Sequence, residues 1–406
     1  MARITIKNVG PLKEVSLEIK RFNVFMGPQS TGKSTIAKII SQALWAEKNF
    51  LTTGEEYDFY RRLLDFHKMD KNYFNRPDAE IIYESQWCVI RLKYEKGKRN
   101  QQTEYKRKEN RDLYYNPKIE YIPAERNFVT SIENIHKYAE TYNTTMSFLN
   151  DWYAAKSAYQ GHKKYNINLP DLSFSYRYKE SEERDIISME GNEVELQSGS
   201  SGQQSLLPLL LIADEVMVTT YHNQRTFSPA EIALIKKKAP EFVSIIDAIG
   251  RKERKGIAKE NLTDLWHKIG YQADYGRTHL IIEEPELNLY PSTQRGLLKH
   301  LVSQLCKDLK HQHTLTITTH SPYILYALNN CMLAGLAVEK KKNAALKDAG
   351  IVAAISPQDV GLWLLEDGKV VSLQQTENSL LSQDFFNSEF QKNHEEMFQL
   401  LQILDQ

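Results

Sequence analysis

FNVFMGPQSTGKSTIAKII, residues 22–40, decides how the rest of the chain is read. FNVFM is a nearly continuous apolar run, the composition of a strand buried on both faces. After residue 35, Ile36, Ile39, Ile40, Ala43 and Leu44 recur at helical spacing. Between strand and helix, Gly27, Gly32, Lys33 and Ser34 satisfy G-x-x-x-x-G-K-[ST] in full. Glycines let successive backbone N–H groups turn inward as an anion nest at a helix N-terminus. The segment Gly27, Pro28, Gln29, Ser30, Thr31, Gly32, Lys33, Ser34, Thr35 is therefore expected to grip nucleotide phosphates, with the Lys33 ammonium on the β- and γ-phosphates and the Ser34 hydroxyl on Mg²⁺.

Strands flank this unit on both sides. RITIKNV and SLEIK alternate before it; AEIIYES, WCVIRLKYE, TEYKRK and KIEYIP follow between residues 78 and 122. Residues 127–158 read as helical, 171–197 as strand, and LLPLLLIADEVMV as an apolar helix. Residues 228–268 read as charged helix, with FSPAEIALIKKK starting on a serine cap and a proline. THLIIEEPE and HTLTITTHSP bracket the helix TQRGLLKHLVSQLCKDL, a β-α-β unit of a parallel sheet. VGLWLLEDGKVVSL reads as a strand pair with a DG turn, and EFQKNHEEMFQLLQIL as a polar helical tail.

Three further segments carry candidate chemistry. LIIEE ends a strand in two carboxylates, where ligands of parallel sheets bind; Glu283 is expected to hold magnesium and Glu284 to orient or deprotonate water. His320 follows the strand LTITT one β-α-β step later and can donate to phosphate or to that water, although a lone histidine at a strand end is more often structural. Ser200, Gly202 and Gln203 open the apolar helix, where they form either a second phosphate-binding N-terminus or an ordinary serine cap.

In this order the four segments resemble the ABC-type ATPases: GPQSTGKS is similar to their Walker A, SSGQ to their signature, LIIEEPE to their Walker B and TTHSP to their switch histidine. NVGPLKEVSLEI, YIPAERNF, EEPELNLYP and THSPYIL resemble the SMC/OLD-like branch, particularly anti-phage ATPases. The resemblance implies an α/β P-loop NTPase of ABC type with a β-rich N-terminal lobe and helical insertions. It divides the chain into an N-terminal ATPase lobe (1–126), a helical lobe with the signature (127–278) and a C-terminal ATPase lobe (279–406). It further implies ATP hydrolysis with Mg²⁺, head-to-tail pairing in which Ser200, Gly202 and Gln203 act in trans, and coupling of nucleotide state to the helical lobe through Glu125 and Arg126. A separately encoded effector, a nuclease or a toxin, is the implied partner. SSGQ departs from the transporter form Leu-Ser-Gly-Gly-Gln, and Glu283 stands where aspartate is usual, which fits the OLD-like branch better than a transporter.

Composition sets bounds. With 41% hydrophobic and 26% charged residues in 406 positions, a large core is attainable; the formal net charge of zero demands neither nucleic acid nor an anionic surface. No apolar run approaches the roughly 18 residues that would span a bilayer, the N-terminus shows no signal-peptide pattern, and the three scattered cysteines have no metal spacing; a cytoplasmic protein is expected. The residues after His320 contain no D-x-D pair, so no Toprim nuclease is expected, and Glu366 and Asp367 read as hairpin residues. One local exception remains. Arg91, Lys93, Lys96, Lys98, Arg99, Lys106, Arg107, Lys108 and Arg111 face only three acidic residues, with Tyr94 and Tyr105 interleaved. That tract, with RKERKGIAK at 251–259, leaves a DNA-binding repair or clamp ATPase as the alternative, and a nucleotide-gated scaffold with little turnover as a third reading.

Overall fold

The computed structural model describes residues 2–222 and 275–382, apart from 57, 99–100, 110–113, 115, 133–134, 136–137, 139 and 309, and five positions from 395 to 402. The helix expected over 228–268, the basic run 251–259, Arg99, Arg111 and most of the polar tail lie outside the described residues.

Fifteen strands form two sheets among the described residues. The N-terminal sequence alternates because β1 (Ala2–Val9) and β2 (Leu12–Ile19) form a hairpin with one buried face. β3 (Phe22–Met26) is buried at all five positions, as its nearly continuous apolar run predicts. Val24 packs into one hydrophobic cluster and Phe25 into the other, so the strand is sandwiched between two layers. β4 (Glu80–Glu84), β5 (Cys88–Lys93), β6 (Thr103–Arg107) and β7 (Pro117–Ile122) follow. β12 (Arg277–Glu283), β13 (Thr314–Thr319), β14 (Val360–Glu366) and β15 (Lys369–Ser372) come from the far end of the chain.

These elements join one eleven-stranded sheet in the order β6-β5-β4-β1-β2-β15-β14-β3-β13-β12-β7. The stretch from β14 to β7 is parallel throughout, and the stretch from β6 to β2 is an antiparallel meander. β14 and β15 stitch the two halves together, β15 pairing with β2 through Lys369 and Glu14. Segments within 1–126 and 279–406 therefore interleave in a single sheet. The helix Lys33–Thr53 covers one face, and the helices Thr144–Lys156, Ser201–Asp214, Pro291–Lys307 and Pro322–Glu339 cover the other. A separate four-stranded antiparallel sheet, β8 (Tyr165–Leu169), β9 (Leu172–Lys179), β10 (Arg184–Met189) and β11 (Asn192–Glu195), packs beside those helices. The region 127–222 thus carries a four-stranded sheet beside its helices, three of those strands falling within the stretch 171–197 that reads as strand.

One packing contact makes a test of the helical layer. Gly335 lies where the helix Pro322–Glu339 crosses the segment before β14; a Cβ built there sits 2.0 Å from the Ile355 carbonyl oxygen. Backbone cannot yield as a flexible side chain does, so Gly335→Ala is expected to lower stability by about 1–3 kcal/mol. A denaturation midpoint unchanged from wild type would contradict this close approach.

Candidate active site

The carboxyl ends of three adjacent parallel strands build the site. β3 delivers the glycine-rich loop, its neighbour β13 delivers His320, and β12 beyond it delivers Glu283 and Glu284. In the loop, φ is +151° at Gly27, +62° at Ser30 and +102° at Gly32, left-handed values that favour glycine. A Cβ at Gly27 would meet the Leu365 carbonyl oxygen at 2.4 Å. Gly32 caps the helix Lys33–Thr53 without any side-chain hydrogen bond, so no side chain competes for the first-turn N–H groups. Pro28, Gln29 and Ser30 are exposed, Thr31 and Ser34 are partly so, and Thr35 is buried. Lys33 is buried and donates to the carbonyl oxygens of Gly27 (2.8 Å) and Pro28 (2.7 Å). Burial draws its pKa down, against the opposing pull of Glu284 and Glu286. Those two carboxylates acting on the Lys33 ammonium show that the loop and the acidic strand end converge.

The Glu284 carboxylate lies 3.2 Å from His320 Nε2, and both side chains remain partly open to solvent. The Glu284 backbone, at φ +43°, donates to the Thr318 carbonyl oxygen (2.9 Å), fixing the turn from which its side chain departs. Three residues at this centre carried no role in the sequence reading or only a coupling one. Glu286 Oε1 accepts from the Thr319 hydroxyl and the His320 N–H, each at 2.7 Å, which sets the backbone from which the histidine projects. Its Oε2 is buried with no hydrogen-bond partner among the described residues. The Tyr121 hydroxyl, on β7, donates to Glu283 Oε1. Arg126 is buried and donates to the carbonyl oxygens of Glu283 (2.8 Å), Glu284 (2.8 Å) and Ser205 (3.1 Å).

The residues present fit a magnesium nucleotide. The glycine cradle leaves room at an uncapped helix N-terminus, and a buried carboxylate oxygen stands unpaired beside it. Tyr121 and Ile281 share a cluster with Ile36, Ala37 and Ile40 of the covering helix; Glu283, two residues beyond Ile281, projects on that same face, toward the end at which Ser34 opens the helix.

Ser200 caps the helix Ser201–Asp214 in a capping box: Ser200 N–H donates to Gln203 Oε1 (2.8 Å), and Gln203 N–H donates to the Ser200 hydroxyl (3.3 Å). Ser200 and Ser201 are exposed, while Gly202 is buried against the Asn288 carbonyl and Gln203 is buried with its amide beside the Met189 sulfur. None of the Ser200 or Gln203 hydrogen bonds reaches residues 27–35 of the same chain. Glu125, exposed next to Arg126, accepts a turn hydrogen bond at its carbonyl oxygen from the Phe128 N–H (3.0 Å).

Of the basic tract, Arg91 pairs with Glu80 (2.7 Å), Lys98 with Glu95 (2.6 Å) and Lys108 with Glu84 (2.7 Å), while Arg107 lies over the Phe50 ring. Three of the seven described basic residues of the tract are thus paired with carboxylates of the same chain. Glu366 and Asp367 form the β14–β15 turn, with φ +50° at Asp367 and +78° at Gly368.

Fold and site together define an α/β protein with a P-loop, a glycine-rich phosphate loop set between a buried parallel strand and a helix. Residues 3–188 match the family model described as an AAA domain. Among solved structures the chain is similar to the SMC head domain from Thermotoga maritima, at 10% identity and TM-score 0.38 over 92% of this chain and 98% of that one. It is also similar to the recombination mediator protein RecF (11%, TM-score 0.33, 91% and 97%) and to a dimeric bacterial ABC transporter cassette (13%, TM-score 0.28, 90% and 96%). No curated protein matches it. Among the described residues no helix is long and apolar enough to cross a membrane.

Proposed function

We propose that the chain binds and hydrolyses ATP, pairs with a second copy around two nucleotides, and through that cycle controls a separately encoded effector. The observation that carries the ATPase reading is the meeting of Lys33, Glu284 and His320 at the ends of β3, β12 and β13. In this arrangement the loop N–H groups and Lys33 hold the β- and γ-phosphates. Glu284 accepts a proton from water aligned with the γ-phosphorus, and His320 Nε2 fixes the carboxylate or donates to the phosphate. Magnesium, held by Ser34 and Glu283, would supply neutralising charge when bound.

Pairing is supported by the signature helix. Its cap exposes Ser200 and Ser201 away from the chain's own loop, so a second chain's nucleotide is the phosphate they fit. The effector and its role in anti-phage defence rest on the resemblance of EEPELNLYP and THSPYIL to OLD-like proteins; a toxin or nuclease reading frame beside this one would support them. The internal pairing of Arg91, Lys98 and Lys108 argues against a nucleic-acid clamp. Phosphate release at saturating magnesium and ATP provides the test. Wild type is expected to turn over at least tenfold faster than Lys33→Ala, and equal rates would leave a scaffold in place of an enzyme.

A further inference from the structure

β7 is the edge strand of the sheet next to β12, and its register places Tyr121 opposite Ile281. Side chains alternate along a strand, so Ile281 and Glu283 share the face on which Tyr121 lies, and Glu283 is its diagonal neighbour. The tyrosine is buried at 6% exposure, and its hydroxyl donates to Glu283 Oε1. His67 closes the other side: its ring meets the Tyr121 ring edge-on at 5.0 Å and 62°. Burial holds that histidine neutral, with its pKa drawn down to about 3, so it brings no charge to compete for Glu283. Thr144 fixes His67 in turn, its hydroxyl 3.3 Å from Nδ1. Arg126 grips the Glu283 backbone oxygen. The carboxylate is thereby anchored at its main chain and at one oxygen, and the second oxygen makes no hydrogen bond among the described residues.

We propose that Tyr121 is a positioning residue for the divalent cation: it ties down one Glu283 oxygen and presents the other toward the loop. Glutamate carries one more methylene than aspartate, hence one more torsion to fix, and an edge-strand hydroxyl fixes it at little cost because Tyr121 is already packed between His67 and β12. The proposal rests on the reading of Glu283 as a cation ligand given above.

The probe is Mn²⁺, titrated by electron paramagnetic resonance against protein holding a non-hydrolysable ATP analogue, with affinity for the metal-free analogue measured separately. Tyr121→Phe keeps the ring and removes only the hydroxyl. Its Mn²⁺ affinity is expected to fall about tenfold or more, with metal-free analogue binding unchanged. Unchanged Mn²⁺ affinity in Tyr121→Phe, where Glu283→Gln weakens it, would overturn the positioning role. If Glu283→Gln also leaves Mn²⁺ affinity intact, the assignment of Glu283 falls first, and the proposal falls with it. Should Tyr121→Phe weaken metal-free analogue binding equally, the hydroxyl serves the fold of the site and the proposal is again refuted.

Discussion

Replacing Glu284 by glutamine is expected to lower phosphate release by about 10²–10⁴-fold, the contribution of a positioned general base, while ATP binding persists. The amide matches the carboxylate in size and can still face His320 Nε2, now 3.2 Å away, but it cannot take a proton from water. Glu284 also acts on the buried Lys33 ammonium, so its neutralisation leaves Lys33 with Glu286 alone and favours the incoming phosphates. The variant should therefore fill with ATP and stay filled. If two chains close around two nucleotides, ATP should convert it into a stable dimer, visible as a doubled mass in light scattering, whereas wild type returns to monomer as ATP is consumed. Turnover within about threefold of wild type would remove Glu284 from the role of base. A mass that stays monomeric with ATP bound would remove the pairing.

Local features were legible before the structure, and those set by lateral strand pairing were not. The strand, loop and helix start over residues 22–47 depend on neighbours within a few positions: the strand coincides with β3 and the helix starts within one residue of the expected position, although it runs on to Thr53. The β12–helix–β13 unit was equally readable, because a crossover of this kind joins parallel neighbours. Glu286 was overlooked although it stands in the same EEPE segment. What distinguishes it is a contact to Thr319 and His320, more than thirty residues away, which composition cannot show. Tyr121 was missed for a similar reason: the apposition of β7 and β12 spans some 160 positions. The insertion of β14 and β15 between β2 and β3 likewise turned two expected lobes into one sheet. Ser200 shows a different limit. A serine before a helical glycine caps its helix whether or not a phosphate ever reaches it, and the capping box meets the expectation of a cap alone.

Arg126 carries the second large effect. At 1% exposure it is among the largest fully buried side chains, and among the described residues it forms no ion pair. Its guanidinium instead gathers carbonyl oxygens from three places: Glu283, Glu284 and Pro285 at the end of β12, Pro123 after β7, and Ser205 in the signature helix. Burial pulls its pKa down to about 10 against the fields of Glu286, Glu284 and Glu283, so it remains charged at neutral pH. Five planar donors suit this task, and an ammonium with three donors on one atom does not. Arg126→Ala strands several carbonyls in a buried space, each unsatisfied group costing about 1–3 kcal/mol; partial relaxation and entering water reduce the expected loss to roughly 3–5 kcal/mol. Arg126→Lys should recover part of that loss, because it restores charge without the fork. Ser205 also accepts from Asn288 through its hydroxyl (2.9 Å), so the turn after β12 grips the signature helix at two points, and removing Arg126 leaves only one. Urea unfolding of the three proteins measures the effect. A loss below about 0.5 kcal/mol in Arg126→Ala would show that the guanidinium fills space without bracing the acidic strand end against the signature helix.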